Sequence, residues 1–388
     1  MDESPRHAVV AGAGIGGLTA ALALHRHGWR VTVCERAAGP TAAGAGIVLA
    51  PNALRALEAI GFDAGRAAGR AAPAAMGVRR PGGSWLVRAD TASLTARYGR
   101  PPLAVHRAAF TGALADALPA GVLRHGTAVT GVDTADGRTV VRTDAGEIPA
   151  DLLVAADGIH SPLRRRCFPD HPGLRYSGET AWRTVLPAGG PALPGAFETW
   201  GRGRRFGAVP LSDGRVYAYA TAVVPEGHRP ADVLGELLDR FGDWHDPVPD
   251  LLGRFDAGAV LQHDLYDLAG PLPRLHDGRT AWIGDAAHAM TPHLGQGGCQ
   301  AIEDAVVLAR LAAGAGGVPA ALAAYTRARL ARTDAIRLRA RRAGRLSMLS
   351  NPLAVAARDL AVRLLPAGAA QRALDDLYDG FTLPEQPE

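Results

Sequence analysis

The stretch from His7 to Glu35 restricts the fold more than any other part of the chain. His7-Ala-Val-Val-Ala11 is a continuous apolar run of strand length, Gly12-Ala-Gly-Ile-Gly-Gly17 is a turn, Leu18 to His27 has helical character, and Trp29 to Glu35 is a second strand. This is a βαβ unit. In it Gly12 permits the tight turn, Gly14 lets a pyrophosphate approach, Gly17 allows the helix to pack closely, and Glu35 is placed to bind a ribose hydroxyl pair, with Arg36 beside it. The glycine spacing alone is weak evidence; strand, helix and acid together make it a dinucleotide site. An acid at that strand end disfavours a 2′-phosphate, so an adenine dinucleotide such as FAD or NAD is expected.

Composition removes whole reaction classes. The 388 residues can bury a large core and are enough for two intimately joined domains. All 42 basic residues are Arg, which rules out a Schiff-base lysine and a phosphate-loop lysine. The net charge of +4 is small and spread along the chain, favouring anionic small molecules over nucleic acid. Cys34, Cys167 and Cys299 stand apart in no metal-ligand spacing, so a reducing compartment and no metal are expected. No run reads as a signal peptide or membrane span, and a cytoplasmic protein is expected.

Further along, Ala43 to Asn52 is a second glycine cluster leading into a helix from Ala53 to Ile60 that Gly61 ends. Val105 to Leu114 opens another helix with Arg107 in its first turn, where a free cation is electrostatically misplaced; its anionic partner is a surface carboxylate or a cofactor pyrophosphate. Short strands around Asp136-Gly137 and Ala145-Gly146 turns lead to a buried strand, Leu152 to Ala156, with Asp157-Gly158 at its carboxyl end. His160, Ser161 and Arg164 to Arg166 follow, so a ligand loop backed by a short helix is preferred to a plain Asp-Gly turn. From Tyr176 to Leu268 the segments Thr180 to Leu186, Ala196 to Trp200, Arg205 to Pro210, Arg215 to Val223 and Ala259 to Leu268 read as a mostly antiparallel sheet, crossed by a helix from Ala231 to Phe241. Pro319 to Leu349, Leu353 to Leu365 and Ala369 to Tyr378 read as helices, and the arginines from Arg327 to Arg345 as a solvated face, a membrane or nucleic-acid role being the minority reading.

The most specific chemistry lies in Gly284 to Asp304. A short apolar strand, Thr280 to Ile283, ends at Asp285, which is placed to accept hydrogen bonds from hydroxyls; Gly295, Gly297 and Gly298 let the backbone approach a ligand where a helix begins. Unpaired amides at that helix start favour developing negative charge.

With Gly12-x-Gly14-x-x-Gly17 and Glu35, Arg107 at a helix start, Asp157-Gly158, and Gly284-Asp285 with Pro292 and Gly295-Gln-Gly297 in this order, nearly the whole chain resembles the group A FAD-dependent aromatic hydroxylases of the para-hydroxybenzoate hydroxylase fold. The Ala181-Trp-Arg183 segment and the absence of a long thioredoxin-like tail make it similar to the short salicylate hydroxylase-type members. The resemblance implies an α/β fold in which a Rossmann-like FAD-binding domain (1–75, 98–175 and 271–345) is interleaved with a mostly antiparallel substrate sheet (76–97 and 176–270), followed by C-terminal helices (346–388). It implies that Gly12, Gly14, Gly17, Glu35 and Arg36 hold the ADP half of FAD and that Arg107 and Asp285 bind its pyrophosphate and ribityl region. Asp157-Gly158 would serve FAD and an incoming NADH or NADPH. Gly44 to Ile47, including Gly46, and Pro292 to Cys299, including Gly298, would flank the isoalloxazine.

The implied reaction uses NAD(P)H and O2 and passes through a flavin C4a-hydroperoxide. Amides near Gly297 to Cys299 would stabilise the reduced flavin anion, and a closed apolar pocket would protect the oxygen-carrying species from water. The expected outcome is hydroxylation of an aromatic or polyketide-like small molecule by a monomer or homodimer. Epoxidation and Baeyer-Villiger insertion use the same oxygen chemistry, and a flavin-binding protein without turnover is the reading from another class. Substrate contacts are sought on the inward face of the sheet at Arg183, Trp200, Tyr217, Tyr219 and His263, positions that core or surface residues also occupy. Arg183 would meet a substrate carboxylate, or Glu179 or Glu198; His263 would assist phenol deprotonation or be structural.

Overall fold

A computed structural model describes residues 5–40, 45–69, 75–135, 138–193, 195–314 and 316–385. The fully buried run His7–Ala11 occupies the interior of a six-stranded sheet in the order His276–Asp277, Thr280–Trp282, Leu152–Ala155, His7–Ala11, Arg30–Glu35, Leu123–His125. All neighbours are parallel except His276–Asp277 with Thr280–Trp282. Strands buried on both faces read as unbroken apolar runs, which is why Ala-Val-Val-Ala and Leu-Leu-Val-Ala are legible as such. Helices Ile15–Arg26 and Gly297–Ala312 cross closely over this sheet: a Cβ on Gly16 would stand 3.2 Å from the Ala301 Cβ. An antiparallel three-stranded meander, Val129–Ala135, Arg138–Thr143 and Gly146–Ala150, joins the second half of the sheet to the first. The Asp136-Gly137 turn, and Ala43 and Gly44, lie outside the described residues.

The second sheet has seven strands, ordered Leu261–Leu268, Leu174–Leu186, Val216–Val223, Arg204–Pro210, Ala196–Trp200, Ala75–Arg79, Trp85–Asp90. Its one parallel pair joins Ala196–Trp200 to Ala75–Arg79. Strict alternation divides its faces. Val216, Ala218, Ala220 and Ala222 join Trp182, Phe206 and Phe197 against the helices Val233–Phe241 and Val248–Leu252, whereas Tyr217, Tyr219 and Val185 turn the other way, toward Val48 and Ala104 of the hairpin Gly46–Leu49 and Leu103–His106. The long strand Leu174–Leu186 starts earlier than its periodicity suggests, because a bulge between Tyr176 and Thr180 breaks the alternation.

The arginine run is not a solvated face, and this corrects the sequence reading. Arg329 and Arg337 are only 2% exposed. Helix Gly297–Ala312 buries Glu303 and Asp304, and two carboxylates taken out of water require cations. The helix Gly317–Ser347 supplies them: Arg329 reaches Glu303 at 2.5 Å and Asp304 at 2.7 Å, and Arg332 reaches Glu303 at 2.9 Å. Arg341 does the same for buried Asp267, at 2.7 Å. Arg327, Arg342 and Arg345 do face solvent.

Candidate functional site

The carboxyl ends of His7–Ala11, Leu152–Ala155 and Thr280–Trp282 open on one crevice, the usual ligand position in a parallel sheet. Three glycines of the first turn meet three different surroundings. Gly12 has φ +103° and a Cβ there would lie 2.6 Å from the Ala156 carbonyl oxygen; one on Gly17 would lie 1.9 Å from the Gly12 oxygen. A Cβ on Gly14 would meet no protein atom within 4 Å. Backbone therefore demands Gly12 and Gly17, while Gly14 faces the crevice, the division of labour a bound pyrophosphate requires. Glu35 accepts from the Ala13 and Ala37 amides, both at 2.8 Å, so its carboxylate shapes the turn as well as ending the strand; Arg36 is exposed.

The second strand end carries Asp157. One of its oxygens accepts from the Leu163 amide, while Oδ1 is buried without a protein partner. Burial pushes its pKa up, against the pull of Ser161 and Arg164. An orphaned acceptor at this place fits a hydroxyl-bearing ligand. Gly158 beside it has φ +81°. Arg164, 2% exposed, crosses to the third strand end and donates to the Asp285 and Ala286 carbonyls at 3.3 and 3.0 Å. Asp285 starts a short helical turn, Asp285–His288, and stands exposed between buried neighbours; its carboxylate would come 3.9 Å from a Cβ on Gly297. Arg107 is exposed at the start of helix Arg107–Asp116, its amide held by the Ala45 carbonyl, and its guanidinium has no hydrogen bond or ion pair among the described residues.

Behind this crevice lies a buried polar lattice that sequence reasoning missed. Asp304 accepts from the Gly284 amide at 2.9 Å, meets His288 Nε2 at 2.5 Å and is paired with Arg329. Burial would raise its pKa, but His288 and Arg329 outweigh that and hold it at about 2. Asn52 donates to Glu303 and to the Gln296 side chain, and Gln300 donates to the same two groups. The loop from Gly284 to Gln296 is thereby fixed at both ends. Its only sequence signal was a set of polar residues at helical spacing in a run that otherwise reads as core.

Helix Gly297–Ala312 aims its first amides at the crevice, after Gly295 at φ +62° and the exposed Pro292 of the turn Pro292–Leu294. Gly298 leaves room for Ile47, 2.8 Å from where its Cβ would be. Cys299 contributes only backbone: its side chain is packed in the core, near the Val48 and Gly295 carbonyls, and burial pushes the thiol up to about 12.

Across from the Gly46–Leu49 strand stands the Tyr face of the second sheet. Arg183 is opposite Tyr219 in register and Ala181 is opposite His263. Neither carboxylate suggested as a partner for Arg183 is available: Glu179 binds His293 Nε2 at 3.1 Å, and Glu198 accepts from Arg205, from Tyr219 and from the Trp200 indole. Arg183 is thus left without a hydrogen bond or ion pair among the described residues. Arg183 and Arg107 both act electrostatically on Tyr217 and on His263. Burial raises the Tyr217 pKa against them; desolvation and then the same arginines lower that of His263, which is exposed. Trp200 shares the Glu198 carboxylate with Tyr219 and has Arg358 5.5 Å over its ring. Among the described residues no group of His, Cys, Asp and Glu suits a metal ion.

A parallel sheet with a dinucleotide crevice, walled by an aromatic and cationic antiparallel sheet, defines a nucleotide-cofactor enzyme of the flavoprotein type. The family model described as FAD binding domain matches residues 6–192 and 271–340. The chain is 37% identical over 361 residues to the aurachin C monooxygenase/isomerase of Stigmatella aurantiaca, covering 92% of this chain and 94% of that one. It is 35% identical over 382 residues to the 2-heptyl-3-hydroxy-4(1H)-quinolone synthase of Pseudomonas aeruginosa, covering 96% and 97%. The structure of Klebsiella pneumoniae HpxO complexed with FAD and uric acid superposes with a TM-score of 0.90 at 29% identity, covering 98% of each chain. The chain belongs to the FAD-binding-domain family as a group A flavoprotein monooxygenase, and FAD is its cofactor.

Proposed function

We propose that the protein hydroxylates an aromatic or heteroaromatic small molecule with O2 and NADH or NADPH, and that its substrate presents a negative or strongly polar edge to Arg183. The observation that carries the substrate reading is the guanidinium of Arg183, unpaired among aromatic side chains opposite the Gly46–Leu49 strand. A cation held there without a carboxylate is stabilised when a ligand supplies the charge. The relative named 2-heptyl-3-hydroxy-4(1H)-quinolone synthase, and one named FAD-dependent urate hydroxylase, support a flat, electron-rich, nitrogen-containing ring.

In this reading Gly12, Gly14, Gly17, Glu35 and Arg36 hold the ADP half of FAD, and Arg107, Asp285 and the orphaned Asp157 oxygen grip its middle. Gly46, Ile47, Gly295, Gly297, Gly298 and the Cys299 amide border the isoalloxazine. Bound FAD would supply the redox chemistry, passing two electrons from NAD(P)H to O2 so that one oxygen atom goes to the ring and the other leaves as water. The protein's part is placement. Amides at the start of Gly297–Ala312 favour negative charge, Pro292 and Tyr217 close the reacting side to water, and Tyr219 is held in position by its bond to Glu198. His263, exposed and with its pKa lowered, is placed to take a proton from the substrate edge that Arg183 binds. NAD(P)H docks transiently in a groove, since one dinucleotide βαβ motif is taken by FAD.

The test is a screen of aromatic acids, hydroxyarenes and quinolones for stimulated NAD(P)H oxidation by the FAD-loaded protein, with product structures determined. Stimulation by ring compounds with an acidic edge is expected. A yellow protein that oxidises NAD(P)H with none of them would support the non-catalytic alternative.

A further inference from the structure

The helix Pro352–Leu364 is attached to the protein by its polar side. Arg358 and Asp359 are 3% and 6% exposed. Arg358 donates to the Ser347 carbonyl at 3.0 Å, and Asp359 pairs with Arg80 at 2.8 Å. The opposite face carries Leu353, Leu360 and Leu364, which are 82%, 57% and 71% exposed. Together with Ala357 they fall at helical spacing on one stripe, and Leu346 and Leu365 are exposed as well. Of the eight large hydrophobic side chains exposed among the described residues, five lie between 346 and 365. A surface helix ordinarily buries its apolar stripe; this one is turned inside out, and a contiguous patch of this kind marks an interaction surface.

Charge indicates the partner. Between residues 335 and 374 there are eight arginines and one acid, Asp359; Arg337, Arg339, Arg341 and Arg358 are paired with acids, while Arg342, Arg345, Arg363 and Arg372 have no ion pair among the described residues. Arg342, Arg345 and Arg363 are exposed. A two-fold contact between copies would set this cationic rim against itself, because an isologous interface meets its own surface. Anionic lipid headgroups complement it, with the leucines entering the acyl boundary. We propose that Pro352–Leu364 and the adjoining end of Gly317–Ser347 dock the protein onto an anionic lipid surface. The helix lies on the bilayer, and no described helix is long and apolar enough to cross one.

The link to this helix also borders a cavity of about 350 Å³ with a mixed lining, in which Val223, Met348 and Leu349 stand beside Arg175, Glu179 and Arg341. Thr291 Oγ1 and His293 Nδ1 are buried there without protein partners. The docking is independent of the proposed function.

The experiment is co-sedimentation of the FAD-loaded full chain with phosphatidylcholine vesicles, with and without phosphatidylglycerol. Binding to the anionic vesicles is expected, weakened by salt. Replacing Leu353→Ser, Leu360→Ser and Leu364→Ser together lowers binding by about tenfold or more with the flavin spectrum unchanged. Arg342→Gln, Arg345→Gln and Arg363→Gln lower it by about fivefold each, on anionic vesicles only. Sedimentation no greater with anionic vesicles than without them overturns the proposal. So does a dimer in solution that the leucine variant converts to monomer, because a second copy would then cover the face.

Discussion

Gly46 and Tyr217 meet with no space for a side chain between them: a Cβ on Gly46 would stand 2.5 Å from the Tyr217 Cβ. This contact sets how far the substrate sheet lies from the strand that borders the cofactor crevice. Gly46→Ala is expected to cost about 1–3 kcal/mol, as overpacking does, and to reduce turnover more than FAD content. Gly112→Ala, in helix Arg107–Asp116 with nothing within 4 Å, should be neutral or slightly stabilising. Thermal unfolding of the two variants, with flavin content, checks the pair.

Gly14 and Gly17 should fail differently. Gly14→Val adds atoms where no protein atom lies within 4 Å, so the chain is expected to fold and lose FAD. Gly17→Val drives its Cβ to within 1.9 Å of the Gly12 oxygen and is expected to lose the fold. Circular dichroism alongside the flavin absorbance separates the two. Full FAD occupancy in Gly14→Val would contradict the assignment of that turn.

Arg183→Met should leave FAD content and stability near wild type and raise KM for an acidic substrate by about tenfold to a hundredfold, the worth of a charge-assisted hydrogen bond in a sheltered site. Equal losses for neutral and acidic substrates would show that Arg183 acts on the sheet, not on the ligand.

Asp304 links the site to stability through pH. Its folded pKa, about 2, lies below the ordinary 3.8, so its stabilisation is fully present above that ordinary value and is lost as pH falls through about 2. The span corresponds to about 2 kcal/mol at neutral pH. Asp304→Asn should cost about 3–5 kcal/mol near neutrality, because Arg329 and Glu303 lose a member of their network. Unfolding followed from neutral pH toward pH 2 should show the gap between wild type and variant narrowing below about pH 4.

Elements governed by local periodicity were legible in the sequence. The βαβ unit, the strand before Asp157, the strand before Asp285 and the long C-terminal helices follow from apolar runs and glycine punctuation. The resemblance put 76–97 in the substrate sheet, but the residues alone did not show the strands Ala75–Arg79 and Trp85–Asp90, since they alternate weakly and the pairing of Ala75–Arg79 with Ala196–Trp200 is set more than a hundred residues away. Burial of Arg329 was also hidden: an arginine-rich helix reads as solvated until the facing helix is seen to bury Glu303 and Asp304. The lack of a carboxylate partner for Arg183 could not be read in advance either, because Glu179 and Glu198 are near in sequence and are claimed by His293 and Arg205, which come from other strands and loops.

In the proposed reaction one atom of molecular oxygen passes to a ring compound. Turnover of a stimulating substrate under 18O2 in ordinary water, followed by mass analysis, tests it most directly. One labelled oxygen in the product, formed together with NAD(P)H oxidation, is the predicted result. Product oxygen arriving only from water, or oxidation without incorporation for every substrate that binds, would contradict the account.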